Sequence, residues 1–482
     1  MTLCLFYPNQ VLGEGKTMAE VTMRKRVWGW MMFDWASQPF LTLLLTFIFG
    51  PYFAEIVSDQ LMASGMAETA AKAEAQAYWG YGLTVAGLSI AVLAPIFGSI
   101  ADSRGRRLPW IWGFSALYVI GCTGLWLAAP GALDVKMTLF YFGIGMIGME
   151  LATIFTNAML PELGGPEDVG RISGNGWAWG YVGGILALVL TLFFFAENSE
   201  GKTFLGLAPV FGLDPEAREG TRFVGPFSAI WYVVFMIPFF LWVKDAPRAA
   251  NQIKTSFTQG LRDLGRTLKS LPSQKGLSAY LLSSMFYRDA LNGMYTFGGI
   301  YAFGVLGWEA QDIGIFGILA AITGAIFAWI GGQADARFGP KPVILVCIIV
   351  LTAVAITVVT ITRTSVLFIP VEAGSSMPDI AFYICGCLIG AAGGAIQASS
   401  RSMMVRQANP ERMTEAFGLY ALAGKATSFI APGAIALTTD FTGSQRLGIS
   451  PLIVLFLLGL ILLIWVKPNG AGAKEWSGSQ EQ

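Results

Sequence analysis

The sequence predicts an all-α membrane protein: twelve transmembrane helices arranged as two six-helix bundles. Three observations lead there. The chain has 482 residues, 54% of them hydrophobic and only 13% charged, about half the charged share of a soluble protein. Such a chain has too little polar surface to cover a soluble globule. Twelve apolar runs are long enough to cross a hydrocarbon core about 30 Å thick. One loop motif recurs at equivalent places in the two halves.

The runs lie near 28–52, 78–101, 109–129, 137–160, 172–196, 226–243, 277–304, 311–334, 340–362, 379–402, 413–437 and 446–466. Lysine and arginine concentrate, roughly threefold, in alternate connections that include 1–27, 102–108 and 244–276, which puts both chain ends in the cytoplasm. The N-terminal tail is polar and ends in Arg24, Lys25 and Arg26. That is not the shape of a signal peptide, and the expectation is an inward tail before an uncleaved first helix. The longest inner connection falls after the sixth run. The expected organisation is therefore a tail (1–27), a first bundle (28–243), a linker (244–276), a second bundle (277–466) and a tail (467–482). Within the linker, Ile253, Phe257, Leu261, Leu264, Leu268 and Leu271 recur every three or four residues, with Lys254, Arg262, Arg266 and Lys269 on other faces. Such a helix lies either on the inner membrane surface or packed beneath the bundle.

Composition excludes several functions. There is no histidine, so histidine triads, histidine metal sites and histidine proton relays are absent. The five cysteines (Cys4, Cys122, Cys347, Cys385, Cys387) lack zinc spacing, and four read as small core residues. No metal or cofactor is expected. Net charge is zero, so there is no nucleic-acid footprint. "GLYALAGKAT" (418–427) imitates a phosphate-binding loop, but its glycines stand one residue too far apart and no Ser or Thr follows Lys425. No enzyme is indicated.

The repeated motif is "GSIADSRGRR" (98–107) after run two and "GGQADARFGPK" (331–341) after run eight. Internal repetition of a six-helix unit is a transporter signature. Gly176, Gly180 and Gly184 in run five, and Gly386, Gly390 and Gly394 in run ten, each line one helix face for close packing. The loop resembles that of the major facilitator superfamily. "FDWASQPFLTLLLTFIFGPYF" (33–53), "TNAMLPEL" (156–163), "GRISGNGWAWGYVGG" (170–184), "FYRDALNG" (286–293) and the stretch 393–426 together resemble the autophagy-linked vacuolar amino-acid effluxers and their bacterial relatives. The resemblance implies secondary transport by alternating access, amino-acid export as in the fungal members, and a monomer. It also implies that runs one, four, seven and ten line a central cavity. A bacterial cytoplasmic (inner) membrane is the expected location, with membrane lipid and a small-molecule substrate as partners. The second loop has one residue more between Asp335 and Gly339 than the first has between Asp102 and Gly105, which weakens the carry-over of a gating role to Asp335.

Charges inside the runs carry the chemistry. A charge at mid-bilayer costs about 2.5–3.5 kcal/mol on the lenient scale, so it faces the bundle interior. Helical rise puts Glu150, Arg288, Asp289 and Lys425 near the midplane, Asp34 roughly 9 Å from the inner edge and Arg401 near the inner end of run ten. Adjacent helical residues diverge by about 100°, so Arg288 and Asp289 cannot simply neutralise each other and each needs a partner elsewhere. One reading is a site for a small zwitterion. Its carboxylate would meet Arg288, Arg401 or Lys425 and its ammonium Asp34, Glu150 or Asp289, with hydrogen bonds from Asn157, Asn292 and Gln397. The other is a network of salt bridges that only holds or switches the bundle. A buried carboxylate can carry a proton at neutral pH, which marks Glu150 and Asp289 for proton coupling. Gly98, Asp102, Gly105, Arg106 and Arg107, with Asp335 in the second half, form the expected inner gate. Trp28, Trp30, Trp110 and Trp112 at run ends read as an aromatic belt. A receptor or assembly factor with a transporter fold is the alternative from another class.

Overall fold

The computed structural model describes residues 21–245 and 257–470, Ser199, Glu309 and Ala373 excepted. The tails 1–20 and 471–482 and the first part of the linker, including Ile253 and Lys254, lie outside the described residues.

Helices dominate because apolar runs in a bilayer must satisfy their backbone groups internally. Twelve helices make up the two halves: α1 (Met23–Ala63), α2 (Glu68–Arg104), α3 (Leu108–Gly124), α4 (Val135–Ala158), α5 (Pro166–Phe194), α6 (Val224–Trp242), α7 (Lys275–Leu306), α8 (Ala310–Phe338), α9 (Pro340–Thr360), α10 (Met377–Gln407), α11 (Pro410–Thr442) and α12 (Pro451–Ile464). Among the described residues all but α7 are long and apolar enough to cross a membrane. The first six pack as one bundle and the last six as a second. The described ends share one face, called here the terminal face. There the Arg26 guanidinium, at the start of α1, donates to the Lys244 carbonyl just past α6.

Two helices are interrupted. α1 passes from α-geometry (Met23–Pro39) into a π-helical stretch (Phe40–Phe47) before resuming at Phe49. Pro39 has no N–H to give the Trp35 carbonyl, which accepts instead from Trp231 Nε1 of α6 at 3.2 Å. α11 breaks between Ala426 and Ile430.

The linker helix (Phe257–Ser270) packs against the terminal end of α2, with Leu264 buried and Thr267 accepting from Arg412 at 2.6 Å. Of the two placements expected for it, the described part takes the one beneath the bundle. Cys122, Cys347 and Cys385 are buried free thiols, as read, whereas Cys387, expected with them, is only half-buried. The aromatic belt needs correction: Trp30 is fully buried and donates to the Thr156 carbonyl at 2.7 Å, whereas Trp112 is exposed and stacks on Phe240.

On the opposite, distal face one buried acid organises the first bundle. Glu197 accepts from Arg218 Nε at 3.0 Å and from Thr221 N and Oγ1 at 3.1 and 2.7 Å. Glu197→Ala leaves the Thr221 donors buried without an acceptor. It is expected to destabilise the protein by about 3 kcal/mol, read as a lower Tm of the purified protein in detergent.

Candidate functional site

The two bundles meet chiefly along two helix pairs, α2 with α11 and α5 with α8, and also where α5 meets α10 and α4 meets α11. Both chief contacts are tightest toward the terminal face. A Cβ on Gly98 would stand 2.6 Å from the Thr414 carbonyl oxygen, and one on Gly174 2.5 Å from Gly332 Cα. Only glycine permits that backbone approach.

Asp102 sits where α2 meets α11. Its carboxylate accepts from Thr414 N at 3.2 Å and Glu415 N at 2.8 Å, the free donors that open the Met413–Ala426 half of α11. A negative charge there is favourable because helix N-termini carry partial positive charge. Arg107 braces it: its Nη2 lies 3.5 Å from Asp102, its Nε donates to Thr414 Oγ1 at 2.8 Å, and its Nη1 pairs with Glu162. Gly105 closes α2 in the left-handed region at φ 62°, which turns the chain so that Arg107 reaches back. Arg106, expected beside it, is exposed and makes no hydrogen bond or ion pair among the described residues. Asp335, in the second loop, is fully buried; Ser402 donates to its Oδ1 at 3.3 Å, its Oδ2 has no partner among the described residues, and Gly170 of α5 packs on it.

One step deeper sits Arg401 of α10. It is in the second bundle, yet its side-chain hydrogen-bond partners among the described residues are all in the first. Nε donates to Ser173 Oγ at 2.9 Å, Nη2 to the Ser173 carbonyl at 2.8 Å, and Nη1 to Asp34 at 3.0 Å and Asn157 at 3.1 Å. The guanidinium also lies 4.7 Å from the Trp30 ring and 5.6 Å from that of Trp177, a cation–π arrangement. Three residues expected to hold substrate are therefore engaged with one another.

Nearer the middle, Lys425 of α11 pairs with Glu150 of α4 at 3.0 Å, the two side chains 25% and 23% exposed. Arg288 lies over the Tyr420 ring at 4.1 Å and donates to the Tyr420 carbonyl at 3.1 Å. It heads a stripe on α7 with Asn292, Tyr295 and Thr296, all three exposed. The Tyr295 hydroxyl reaches Gln397 and, across the bundles, Tyr181. Opposite it α1 carries Asp34, Gln38, Thr42 and Thr46 at four-residue spacing, each with accessible surface. Beyond this level the Ile430–Thr442 half of α11 packs on α7 and α12 of its own bundle and exposes Leu437 and Phe441. The backbone contacts between the bundles are tightest at the terminal face, while farther along it is the Phe47 ring of α1 that stands against Gly317 of α8.

Asp289 departs from expectation. It is 2% exposed and does not line the space between the bundles. Its Oδ2 accepts from Ala431 N at 2.9 Å, which caps the second half of the broken α11, and its Oδ1 has no partner among the described residues. Arg288 and Asp289 do use different partners, as their 100° divergence requires. Sequence reading missed Trp30, Glu162, Ser173, Tyr420, Tyr295 and Gln38. Of these, Glu162 was within reach, because it lies in a singled-out stretch (156–163) and is the one charge there.

Two six-helix bundles, with a Gly-x-x-x-Asp loop repeated in each half, define a transporter of the major facilitator superfamily, a non-enzymatic class. The solved structures agree on the fold. The proton:xylose symporter XylE superposes with a TM-score of 0.68 at 12% identity, covering 94% of this chain and 98% of that one. The major facilitator transporter FucP in its outward conformation gives 0.64 at 14%, covering 92% and 98%. Within that class the chain belongs to the Atg22-like vacuole effluxer family, which matches residues 22–474. It is 25% identical over 443 residues to the uncharacterized MFS-type transporter YxiO of Bacillus subtilis, 91% of this chain and 94% of that one. Autophagy-related protein 22 of Cryptococcus neoformans is 24% identical over 319 residues, 64% of this chain but only 52% of that longer protein.

Asp102→Ala removes the acceptor for two α11 N–H groups. We expect the terminal face to open in a larger fraction of molecules, a shift of about 1–2 kcal/mol. The check is a distance distribution between spin labels at Arg104 and Glu411, which should gain a longer component absent from the parent.

Proposed function

We propose that this protein is a secondary active transporter that exports a small zwitterion, an amino acid or a close analogue, by alternating access. The terminal face is cytoplasmic in this reading and the membrane is a bacterial inner membrane, with the bundles spanning 28–243 and 277–466 on either side of the 244–276 linker. The protein works as a monomer.

The observation that carries the reading is the Glu150–Lys425 pair. It joins the two bundles, is part-exposed, and lies next to Arg288. A carboxylate can bind Arg288 and Lys425 while an ammonium replaces Lys425 on Glu150, so a zwitterion reproduces the pair that it breaks. Asn292, Gln397 and Tyr295 supply neutral hydrogen bonds nearby. Closure of the distal side over substrate would be coupled to release of the Asp102 cap and the Arg401 cluster, because one rigid-body rocking motion moves both ends. Asp34, Asn157 and Arg401 then act in the gate, with substrate contact reserved for the state in which they separate. Gly98, Gly105 and Arg107 act with Asp102, and Asp335 is the second bundle's counterpart. Coupling to protons falls to Glu150, which frees Lys425 on protonation, and to Asp289, whose protonation would loosen the cap on α11.

In proteoliposomes, Arg288→Ala and Glu150→Gln should each lower amino-acid counterflow at least tenfold while leaving the elution profile of the purified protein unchanged. Parent-like counterflow in both variants would remove the site. Export should also fall when an uncoupler collapses the proton gradient; export indifferent to the uncoupler would rule out coupling through either carboxylate.

A further inference from the structure

We propose that the Arg288–Lys425–Glu150 cluster is a receptor for a carboxylate, selects solutes of net negative charge such as dicarboxylic amino acids, and depends on Gly424 for its geometry. This rests on the transport reading above and narrows it.

The argument is a count of partners. Three acids lie within the spans around the central space. Asp34 is bound to Arg401, Asp289 is buried on the Ala431 N–H, and Glu150 is bound to Lys425. Of the three cations, Arg401 and Lys425 each have a carboxylate. Arg288 has none among the described residues; its one hydrogen bond goes to a backbone carbonyl. A guanidinium has five N–H donors. Arg288 is half-buried and none of its nitrogens is both buried and unpartnered, so its remaining donors keep accessible surface. Two cations thus share one acid on the accessible wall.

Gly424 explains why the cations can stand side by side. A Cβ at that position would lie 2.7 Å from Arg288 Nη1. The guanidinium therefore rests on the bare backbone of residue 424, between the Tyr420 ring and Lys425. This is the same Gly-Lys pair that resembles a phosphate loop in sequence, and its role here is to let one cation lie against the next. An incoming carboxylate meets a planar fork suited to two parallel bonds. A solute with a second carboxylate can satisfy Arg288 and Lys425 together. A solute with a net positive charge meets an already cationic wall, where like charges repel strongly at reduced dielectric.

The test uses purified full-length protein and three probes of similar size: glutamate, glutamine and lysine. Thermal stabilisation rises with ligand concentration over Kd. Glutamate should stabilise at a concentration at least tenfold lower than glutamine, and lysine should give no shift. Gly424→Ala and Arg288→Gln should each weaken the glutamate effect at least tenfold, and Arg288→Lys should restore part of it. Parent-like elution and Tm without ligand show that the variants fold. Glutamine or lysine acting as well as glutamate overturns the charge selection and leaves the transport reading standing. Equal glutamate response in Gly424→Ala overturns the role of that glycine. No stabilisation and no counterflow with any of the three removes both proposals.

Discussion

A guanidinium in a low-dielectric interior must be surrounded by acceptors, and Arg401 finds its acceptors in the opposite bundle. Asp34, Asn157 and Ser173 come from three helices of the first bundle, while Arg401 belongs to the second. Removing one partner from such a buried pair costs about 3–5 kcal/mol. The bundles cannot part at this level until replacements, water or other polar groups, are ready. The same rule governs Lys425 and Glu150, which are also contributed from opposite sides. Cohesion between the bundles and the ability to exchange partners therefore come from one set of side chains. That is why a transporter can be both stable and mobile.

The arrangement separates two tasks by depth. Close to the terminal face, contact is made by backbone: glycine against carbonyl, glycine against glycine, and a carboxylate on helix N–H groups. Such contacts are short-ranged and are lost within a small displacement. Near the middle, contact is made by long charged side chains. These can follow a moving partner or trade it for a solute.

Much of this was legible in the sequence. Length, hydropathy and the doubled Gly-x-x-x-Asp loop were enough for the two bundles, because a bilayer allows few other solutions for a chain this apolar. Which residues carry interior charge was also legible, since each stands alone in an apolar run. What each charge touches was not. Asp289 and Glu150 look alike on a hydropathy plot, yet one caps a broken helix and the other reaches Lys425 of the opposite bundle. The break in α11 at 427–429 was there to be read and was overlooked: Pro432 has no N–H for the Ser428 carbonyl, and its ring crowds that group. Trp30 sits at a span end, where a belt residue is expected, but Arg401 needs a ring beside it and takes it inward. Arg106 and Arg107 are indistinguishable by type. One turn of chain decides that only the second reaches Asp102.

The Asp289 carboxylate ties α7 to the far segment of α11, beyond the gap at 427–429. Mechanically this makes the far segment a flap that the Asp289 carboxylate clasps to α7 and that also packs on α12. While the clasp holds, any tilt of α7 carries the flap with it and changes the width of the distal mouth. The near segment stays moored to α2. One helix in sequence thus serves as two levers, and the outer aperture can be adjusted without disturbing the seal at the opposite end.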